Sequence, residues 1–451
     1  MIETGVVKDS SYAILSDKIR AKQAIIGVIG MGYVGLPLAM ELATADFSVI
    51  GVDIDALKIE KLADGKSHII DIPTDRVQAV IADDKFLPTT DYATLKAADV
   101  ISICVPTPLT KSHEPNMSYI EDTVARLKPV LSKGTLLVLE STTYPGTTRE
   151  LIACEFEKDG WVIGEDIFIC FSPERIDPGN KQFQPKQVPK VVGGMTEKCL
   201  ALGQQYYAHA FDTIVPVSTP EIAEMTKLLE NTFRSINIAF INEMSMLCEE
   251  LGIDLWEAID AAKTKPFGFM PFYPGPGVGG HCIPLDPMYL YWKGKEKNFF
   301  SRFIELAQQV NTSMPKHVVE LASQALNKQG KALSTSKVLV IGVAYKSDID
   351  DVRESPGLHV YEQLKQADAQ LDVLDPFVTS FRDEAGRIVK PVSVVGNMSD
   401  YDCAIIMTKH SNIDYDVLLK SCDCIIDTRN VWTEKKSQCI QNRWRIRKRV
   451  R

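Results

Sequence analysis

The chain has 451 residues, of which 45% are hydrophobic and 24% are charged, and its formal net charge is −9. A chain of this size can bury a large core without disulfides, and a typical domain length of about 150 residues suggests about three domains. The acidic balance argues against general binding of nucleic acid or anionic lipid.

The C-terminal run RWRIRKRVR at 443–451 is the basic exception to this balance. A solvated tail is the simpler interpretation, and contact with anionic lipid or a protein partner is the alternative. The N-terminal residues lack the apolar segment of a secretion signal, and no apolar run reaches membrane-spanning length. We therefore expect a cytoplasmic protein with reduced cysteines. No paired CxxC motifs occur, so no metal site is predicted.

The first segment with a readable motif is AIIGVIGMGYVGLPLAMELA at 24–43. The apolar run Ile25–Ile29 predicts a buried strand, and a G-x-G-x-x-G turn followed by an apolar helix is typical of dinucleotide binding. The pyrophosphate would lie at the helix N-terminus, where unpaired amides favour anions. A purely structural glycine turn is the alternative. The predicted cofactor residues of this turn are Gly30, Met31, Gly32, Tyr33, Val34 and Gly35.

The second predicted strand ends in Asp53, about 20 residues after the glycine turn. A carboxylate there accepts hydrogen bonds from ribose hydroxyls and repels a 2′-phosphate, so NAD is predicted over NADP. Further strands are predicted within 99–106, 135–142 and 166–174. Ligands of open α/β sheets lie at the carboxyl ends of strands. Thr107, Thr142 and Glu174 follow three such ends and are therefore candidate ligand contacts.

The second segment predicts one long helix from about residue 218 to 252. Its length of about 30 residues exceeds the usual range, and such a helix between two α/β units predicts a homodimer or a higher homo-oligomer. Glu224, Lys227, Asn231 and Arg234 fall on one face at helical spacing. A solvated, salt-bridged face is the alternative to a functional one.

The third segment follows the polar linker 327–336 and repeats a strand, turn, helix and strand. Its turn reads GVAYKS and lacks the dinucleotide fingerprint. Lys346 and Arg353 lie in this loop and suit a phosphorylated ligand, with ordinary surface charge as the alternative. The fold class predicted from all three segments is α/β, with two Rossmann-like doubly wound domains joined by a long central helix and a helical dimerisation region.

The run GPGVGGHCIPLDP at 275–287 places one cysteine, Cys282, among glycines and prolines. Neither a helix interior nor a central strand tolerates this composition. A thiolate beside a nicotinamide can add to an aldehyde, and the thiohemiacetal can lose hydride to give a thioester that water hydrolyses. A cysteine packed beside a glycine turn is the alternative.

These motifs together resemble the UDP-glucose/GDP-mannose dehydrogenase family over roughly residues 21–433. The matching runs, besides the cysteine loop, are GMGYVG (30–35), VPTP (105–108), ESTTYPGTT (140–148), FSPERIDPG (171–179), KLLEN (227–231) and GVAYKSDIDDVRES (342–355). The resemblance implies an NAD-binding Rossmann domain at 21–215, a central helical domain carrying the cysteine at 216–326 and a UDP-sugar-binding domain at 327–440.

The resemblance also implies residue roles. Cys282 matches the nucleophile, and Lys227 with Asn231 matches the group that stabilises oxyanions. Asp286 matches an aspartate that positions water, and Thr142 and Glu174 match polar residues near the reacting carbon. The residues expected to contact the UDP-sugar are Glu174, Arg175, Lys227, Asn231, Tyr273, Gly279, Lys346, Arg353 and Arg429. Two positions depart from UDP-glucose enzymes: Pro178 replaces a second glutamate, and Leu285 replaces a frequent lysine.

The expected reaction is a four-electron oxidation of C6 of a UDP-N-acetylhexosamine to the uronic acid, with UDP-N-acetylglucosamine as the expected sugar. Phe267, Phe269, Phe272 and Tyr273 would form an aromatic wall for the acetamido methyl, unless they pack only against the long helix. The alternative substrates are UDP-N-acetylmannosamine and UDP-glucose. A noncatalytic nucleotide-sugar-binding protein and a two-electron alcohol dehydrogenase are rival functions. The resemblance implies that the UDP-linked uronic acid product is used in cell-surface polysaccharide synthesis.

Overall fold

The computed structural model describes residues 10–69, 72–110, 114–175, 185–392 and 398–432, together with the backbone of 443–445. Two compact units divide the chain. The first contains the residues up to Glu230 and Met288–Asn298, and the second contains Asn231–Pro287 and the residues from Phe299 onward. The boundary thus falls inside a helix, whereas the sequence suggests boundaries near 215 and 326. The finer division into three domains stays a prediction.

The first unit is built on an eight-stranded sheet in the order β3-β2-β1-β4-β5-β6-β7-β8. The first six strands run parallel, while β7 is antiparallel to β6 and parallel to β8. This is the strand order expected of a doubly wound dinucleotide fold with two added strands. The strands are β1 (Ile25–Ile29), β2 (Ser48–Val52), β3 (Phe86–Thr89), β4 (Val100–Ile103), β5 (Thr135–Leu139), β6 (Ile167–Phe171), β7 (Lys190–Gly194) and β8 (Ile214–Val217).

Both faces of this sheet are covered, which explains the unbroken apolar runs of its strands. Leu136 and Val138 of β5 point into one hydrophobic cluster, and Leu137 and Leu139 point into another. The helices of this part of the chain are α1 (Ser11–Arg20), α2 (Gly35–Thr44), α3 (Ala56–Ala63), α4 (Thr74–Ala82), α5 (Ser118–Leu127), α6 (Cys154–Lys158) and α7 (Glu197–Tyr207). A π-helical turn, Thr148–Ala153, leads directly into α6.

The predicted long helix is present as α8 (Pro220–Leu251), with a proline at its first position as expected. It is followed by α9 (Leu255–Ala262), α10 (Asp286–Glu296) and α11 (Arg302–Lys328). Asp254 starts α9 by accepting the amides of Trp256 and Glu257. The association of α8 into a dimer stays a prediction.

The second unit carries a five-stranded sheet of parallel strands in the order β10-β9-β13-β14-β15, as predicted for a second Rossmann-like domain. Its elements are β9 (Lys337–Ile341), α12 (Pro356–Gln366), β10 (Gln370–Leu374), the ribbon β11 (Phe381–Arg382) with β12 (Ile388–Val389), β13 (Cys403–Ile406), α13 (Tyr415–Ser421), β14 (Ile425–Asp427) and β15 (Arg443–Arg445). Residues 443–445 of the basic tail therefore form an edge strand, which a simple solvated tail would not. The remainder of the tail, 446–451, lies outside the described residues.

The described helices include none that is both long enough and apolar enough to cross a membrane.

Two glycines of the first βα turn give a matched test of packing. A Cβ added at Gly35 would lie 1.8 Å from the carbonyl oxygen of Gly30, whereas one added at Gly32 meets no atom within 4 Å. Overpacking of this kind typically costs about 1–3 kcal/mol. We therefore expect Gly35→Ala to lower the melting temperature clearly, although alanine is the better helix former. Gly32→Ala should melt within error of the unsubstituted protein. Equal melting temperatures for both variants, measured by circular dichroism, would contradict this packing.

Candidate active site

The glycine turn and Asp53 meet at the carboxyl edge of the first sheet. One carboxylate oxygen of Asp53 accepts the amide of Met31 at 2.8 Å, and the other accepts the amide of Asp55 at 2.9 Å. The ammonium of Lys58 lies 3.4 Å from the same carboxylate. The open space at Gly32 and the helix N-terminus at Gly35 fit a pyrophosphate. The residues present therefore suit a dinucleotide, as the sequence predicts.

Two threonines join the next strand ends at the same edge. The hydroxyl of Thr107, after β4, donates to the carbonyl of Thr142, after β5, at 2.7 Å. The hydroxyl of Tyr289 donates to the carbonyl of Thr107. Because β4 lies beside β1 in the sheet, both threonines belong to the edge that carries the glycine turn. The structure thus brings together the strand ends from which the sequence predicts ligand contacts.

Glu224, which the helical spacing grouped with Lys227 and Asn231, has a structural partner instead. Its carboxylate accepts the amides of Gly146 and Thr148 at 2.6 and 2.8 Å and the hydroxyl of Thr148 at 2.7 Å. It therefore caps the π-helical turn and ties α8 to the loop that follows Thr142. Burial raises the pKa of Glu224, and these three donors work in the opposite direction.

Glu174 belongs to a buried charged cluster that the motifs did not predict. The ammonium of Lys190 lies 2.6 Å from Glu140 and 3.2 Å from Glu174. Burial would lower the pKa of Lys190, but the two carboxylates outweigh burial and raise it above its usual value. Burial raises the pKa of Glu140, opposed by Lys190. No sequence pattern marks Lys190, because it opens a strand whose other residues are apolar or glycine.

The neighbouring Arg175, expected to contact the sugar, is held by protein groups. Its guanidinium makes two hydrogen bonds to Glu230 of α8, at 3.2 and 2.6 Å, and a third to the carbonyl of Pro189 at 2.8 Å. Its amide donates to Glu174 at 2.6 Å. These contacts identify a structural role for Arg175, and a sugar contact for it stays a prediction. Pro178, which replaces the second glutamate, lies outside the described residues.

The glycines of the cysteine loop allow a close approach of backbones in the second unit. A Cβ at Gly279 would lie 2.7 Å from the Cβ of Tyr345 and 2.8 Å from the carbonyl of Glu354. Gly280, at a φ of 85°, donates its amide to the carbonyl of Arg353 at 2.9 Å. The cysteine loop therefore packs closely on the 342–355 loop. This packing explains why glycines surround Cys282, since larger residues at 279 and 280 would collide with Tyr345.

A buried pair of asparagines holds the start of the cysteine loop. The side-chain oxygen of Asn242 in α8 accepts the amide of Gly275 at 2.9 Å, and its nitrogen donates to Asn311 of α11 at 3.1 Å. Asn311 in turn donates to the carbonyl of Ser235 at 3.1 Å. Buried side-chain amides whose oxygen and nitrogen both have hydrogen-bond partners fix a loop strongly, since leaving one such group unpaired costs about 1–3 kcal/mol. No local sequence pattern marks these two residues.

Cys282 lies half-buried, one turn before the start of α10. The amide of Asp286 donates to the carbonyl of Cys282 at 2.8 Å, so the thiol and the carboxylate follow each other on one turn. The side-chain amide of Asn231 donates to the carboxylate of Asp286, and its oxygen accepts from the guanidinium of Arg234. Arg234 therefore sets the orientation of the Asn231 amide. It shares the predicted helix face but is absent from the predicted site.

Lys227 lies one helical turn before Asn231 in α8 and is buried, at 7% exposure. A lysine is almost never buried in this way without a partner or a function. Its burial argues against the alternative of a solvated helix face. Asn231 is fully buried as well.

The three cations expected to hold UDP lie in the second unit and differ in their surroundings. Arg353 makes a forked ion pair with Asp351, at 3.0 and 2.6 Å. Arg429 donates to the carbonyl of Met407 at 2.7 Å and lies against Gly275, and burial lowers its pKa to about 10. Lys346 is half-buried in the same loop as Arg353. Burial and the nearby charge of Arg353 lower the pKa of His281, the residue before Cys282.

Two residues of the predicted aromatic wall pack on rings of neighbouring helices. The ring of Phe272 packs edge-on against Phe233 of α8, with 5.9 Å between centroids, and Tyr273 stacks on Trp256 of α9 at 5.1 Å. Phe267 is 70% exposed. Phe272 therefore packs on the long helix, Tyr273 packs on α9, and Phe267 faces solvent. A wall of these rings for the acetamido methyl stays a prediction.

Within the described ranges, no group of three or more histidine, cysteine or acidic side chains is arranged to hold a metal ion.

Three family models match the chain in succession. The NAD binding domain of the UDP-glucose/GDP-mannose dehydrogenase family matches residues 24–211, the central domain matches 221–313, and the UDP binding domain matches 339–434. The three matches together cover most of the chain, in the order that the motifs indicate.

Characterised relatives match over nearly their whole length. A UDP-N-acetyl-D-mannosamine dehydrogenase of Pyrococcus horikoshii is 33% identical over 415 residues, covering 91% of this chain and 96% of that protein. A protein of the same name from Yersinia pestis is 35% identical, covering 90% and 99%. An NDP-N-acetyl-D-galactosaminuronic acid dehydrogenase of Ralstonia nicotianae is 33% identical, covering 91% and 97%.

The fold is similar to that of a solved Pyrococcus horikoshii UDP-D-ManNAc dehydrogenase, with a TM-score of 0.84 and 32% identity, over 94% of this chain and 99% of that one. Sequence and structural similarity therefore agree with the motifs and with the predicted fold class. NAD is the cofactor that the first domain binds. The chain belongs to the UDP-glucose/GDP-mannose dehydrogenase family and is an NAD-dependent nucleotide-sugar dehydrogenase.

Proposed function

We propose that this enzyme oxidises C6 of UDP-N-acetylmannosamine to the uronic acid in two successive hydride transfers and one hydrolysis. The names of the relatives at 33–35% identity support this sugar. They favour the alternative substrate over the expected UDP-N-acetylglucosamine, which differs from it only in the configuration at C2. The 2-acetamido group is common to both expectations and to the relative from Ralstonia nicotianae.

The grouping of Cys282, Asp286 and Asn231 is the observation that supports the chemistry. When bound, NAD supplies the hydride acceptor for each oxidation. We propose that the thiolate of Cys282 adds to the C6 aldehyde, that the thiohemiacetal carbon gives up the second hydride, and that water cleaves the thioester. One alcohol, two NAD⁺ and one water thereby become one carboxylate, two NADH and three protons.

The other residues that the motifs select suit the charges of these steps. Additions to the aldehyde and to the thioester place negative charge on the carbonyl oxygen, and preorganised donors stabilise such an oxyanion. We assign this role to Lys227 and to Asn231. The contacts of Arg234 with Asn231 and of Asn231 with Asp286 hold the Asp286 carboxylate, at the end of the cysteine loop, against α8. We assign Asp286 and Glu174 to positioning or activating the water.

We propose that the second unit binds the UDP moiety through Lys346, Arg353 and Arg429. The match of residues 339–434 to the UDP binding domain supports this assignment. Guanidinium groups bind phosphate oxygens in pairs of parallel hydrogen bonds. The Asp351 carboxylate already holds Arg353 in a fixed orientation.

The substrate assignment predicts the outcome of a panel assay. Purified protein with NAD and UDP-N-acetylmannosamine, UDP-N-acetylglucosamine, UDP-N-acetylgalactosamine or UDP-glucose should turn over the first with the highest kcat/KM. A single stereochemical or substituent change is worth about 1–3 kcal/mol, or roughly 10- to 200-fold. NADH absorbance measured to completion should give two NADH per sugar. A preference for UDP-N-acetylglucosamine would restore the original expectation, and one NADH per sugar would exclude the thioester route.

The nucleophile assignment predicts that Cys282→Ser loses roughly 1000-fold or more in kcat, on the scale of removing an enzyme nucleophile. A serine hydroxyl without an adjacent base is a far weaker nucleophile than a thiolate. NAD and UDP-sugar binding, measured by calorimetry, should persist. Cys154→Ser, at another half-buried cysteine, is the matched control and should retain normal turnover. A Cys282→Ser enzyme that still makes two NADH per sugar would refute the assignment.

The role of Asp53 predicts a change of cofactor preference. Asp53→Asn keeps an oxygen that can accept the Met31 amide but removes the charge that repels a 2′-phosphate. A like-charge contact at 4 Å is worth about 1–4 kcal/mol between water and a protein surface. We therefore expect the kcat/KM preference for NAD over NADP to fall by roughly tenfold or more. Asp55→Asn is the control, because its carboxylate caps α3. An unchanged preference in Asp53→Asn would place the selectivity elsewhere.

A further inference from the structure

In the buried ion cluster of the first unit, only Glu174 has a proposed function, whereas Lys190 and Glu140 have none. Its side chain is 3% exposed, and those of Glu140 and Glu174 are 0% and 10% exposed. Isolated buried charges are strongly unfavourable, so a buried lysine is retained where its partners are well placed. Two carboxylates share this one ammonium, which leaves the cluster with an excess of negative charge if all three groups are ionised.

The position of Lys190 follows from the reversal of one strand. In the antiparallel pair of β6 and β7, Cys170 lies opposite Gly194 and Phe171 opposite Gly193. Continuing that register brings Glu174 opposite Lys190. Because β7 runs against the first six strands, its first residue lies at the carboxyl edge of the sheet, where ligands of this fold bind. A seventh parallel strand would have placed Lys190 at the opposite edge.

Every carboxylate oxygen in the cluster has a donor. Glu140 accepts Lys190 on one oxygen and the hydroxyls of Tyr207 and Ser102 on the other. Glu174 accepts Lys190 on one oxygen and the amide of Arg175 on the other. Hydrogen bonds to both oxygens favour the ionised form of a carboxylate and fix its plane.

The other groups that face the ammonium are neutral or aromatic. The rings of Tyr207 and Phe211 lie 5.1 and 5.2 Å from Lys190. Burial and Glu140 raise the pKa of the Tyr206 and Tyr207 hydroxyls, and burial with Glu140 raises that of the Cys104 thiol. All three groups therefore stay protonated near neutral pH. Lys190 therefore supplies positive charge to Glu174 within this buried group.

We propose that Lys190 is a positioning residue for Glu174. Its ammonium, which also binds Glu140, keeps the Glu174 carboxylate ionised and in the orientation needed to position or activate the water. This inference rests on the role given to Glu174 in the proposed function. Glu140 acts through Lys190, because its own negative charge partly neutralises the ammonium and so weakens the attraction between Lys190 and Glu174. Substitutions at Glu140 and at Lys190 should therefore shift the titration of Glu174 in opposite directions.

The sign follows from the charges. In Lys190→Met with Glu140→Gln, Glu174 loses its cation, so its pKa rises and the acid limb of kcat moves to higher pH, by about one to three pH units. In Glu140→Gln alone, the ammonium serves only Glu174, so the acid limb stays in place or moves to lower pH. Lys190→Arg keeps the charge and should retain most of the turnover. The double substitution avoids leaving two buried carboxylates without a cation.

The experiment measures kcat against pH for these variants, using the UDP-sugar that the unsubstituted enzyme oxidises best, together with melting temperatures. Infrared difference spectra between each protein and its Glu174→Gln derivative report the carboxylate band of Glu174 directly, without turnover. If the enzyme oxidised none of the sugars, the proposed function would fail, while the infrared titration would still test Lys190. Lys133→Met, at an exposed lysine paired with Asp166, is the control and should leave both readouts unchanged.

A purely structural Lys190 would lower the melting temperature of the double variant and leave the Glu174 titration in place. That result would overturn the proposal, as would an upward shift in Glu140→Gln alone. If the double variant does not fold, the remaining pair decides: Glu140→Gln must not shift Glu174 upward, and Lys190→Arg must keep the titration near its original pH. Failure of either condition also overturns the proposal.

Discussion

One backbone hydrogen bond, from the amide of Gly280 to the carbonyl of Arg353, underlies the arrangement of the second unit. It joins the loop of Cys282, the proposed nucleophile, to the loop that carries the proposed phosphate-binding cations. The bond requires that no side chain stand at positions 279 and 280, where a Cβ would lie within 3 Å of Tyr345. The glycines thus serve neither flexibility nor a turn alone. They allow two functional loops to approach each other, and the buried Asn242 then fixes the point where the cysteine loop begins.

The two α/β units solve the same local problem with an aspartate at the end of the second strand. Asp53 accepts the amide of Met31 in the glycine turn, and Asp375 accepts the amides of Val343 and Ala344 in the corresponding turn. Asp375 also accepts the amides of Phe377 and Val378, and it is buried. Its carboxylate is therefore committed to closing the turn. Each oxygen of Asp375 accepts two amides, whereas each oxygen of Asp53 accepts one. Asp375 therefore has less capacity left for a ribose hydroxyl, which fits the missing dinucleotide fingerprint of this unit.

Local sequence patterns predicted the elements well where one short stretch contains the whole signal. Apolar runs identified β1 to the residue, and proline at the start with glycine near the end identified α8. The family motifs brought in Cys282, Asp286 and Asn231, which the structure places in contact or one turn apart. The Glu140–Lys190–Glu174 cluster could not be predicted in this way. Its members come from three strands, and their meeting depends on the reversed direction of β7, for which the chain carries no local pattern.

Several side chains that the sequence assigned to a ligand also have a suitable protein partner in the structure. Arg175, which was expected to contact the UDP-sugar, makes paired hydrogen bonds to Glu230 on α8. Phe272 and Tyr273 suit an acetyl methyl, but Phe233 and Trp256 offer aromatic faces. The residue type determines what a side chain can bind, and only the fold determines which partner lies near it.

Sugar choice illustrates the remaining gap between motif and substrate. UDP-N-acetylglucosamine and UDP-N-acetylmannosamine carry the same functional groups and differ only in configuration at C2, so the residues that perform the oxidation at C6 serve both equally. A preference for one of these two sugars worth about 1–3 kcal/mol requires only one contact that is gained or lost. The motifs that identify the family are tied to the nucleophile, the cofactor and the nucleotide, and none of them reports on C2. Short sequence motifs therefore indicate the reaction, whereas the selection of one C2 configuration depends on the three-dimensional arrangement of side chains around the sugar.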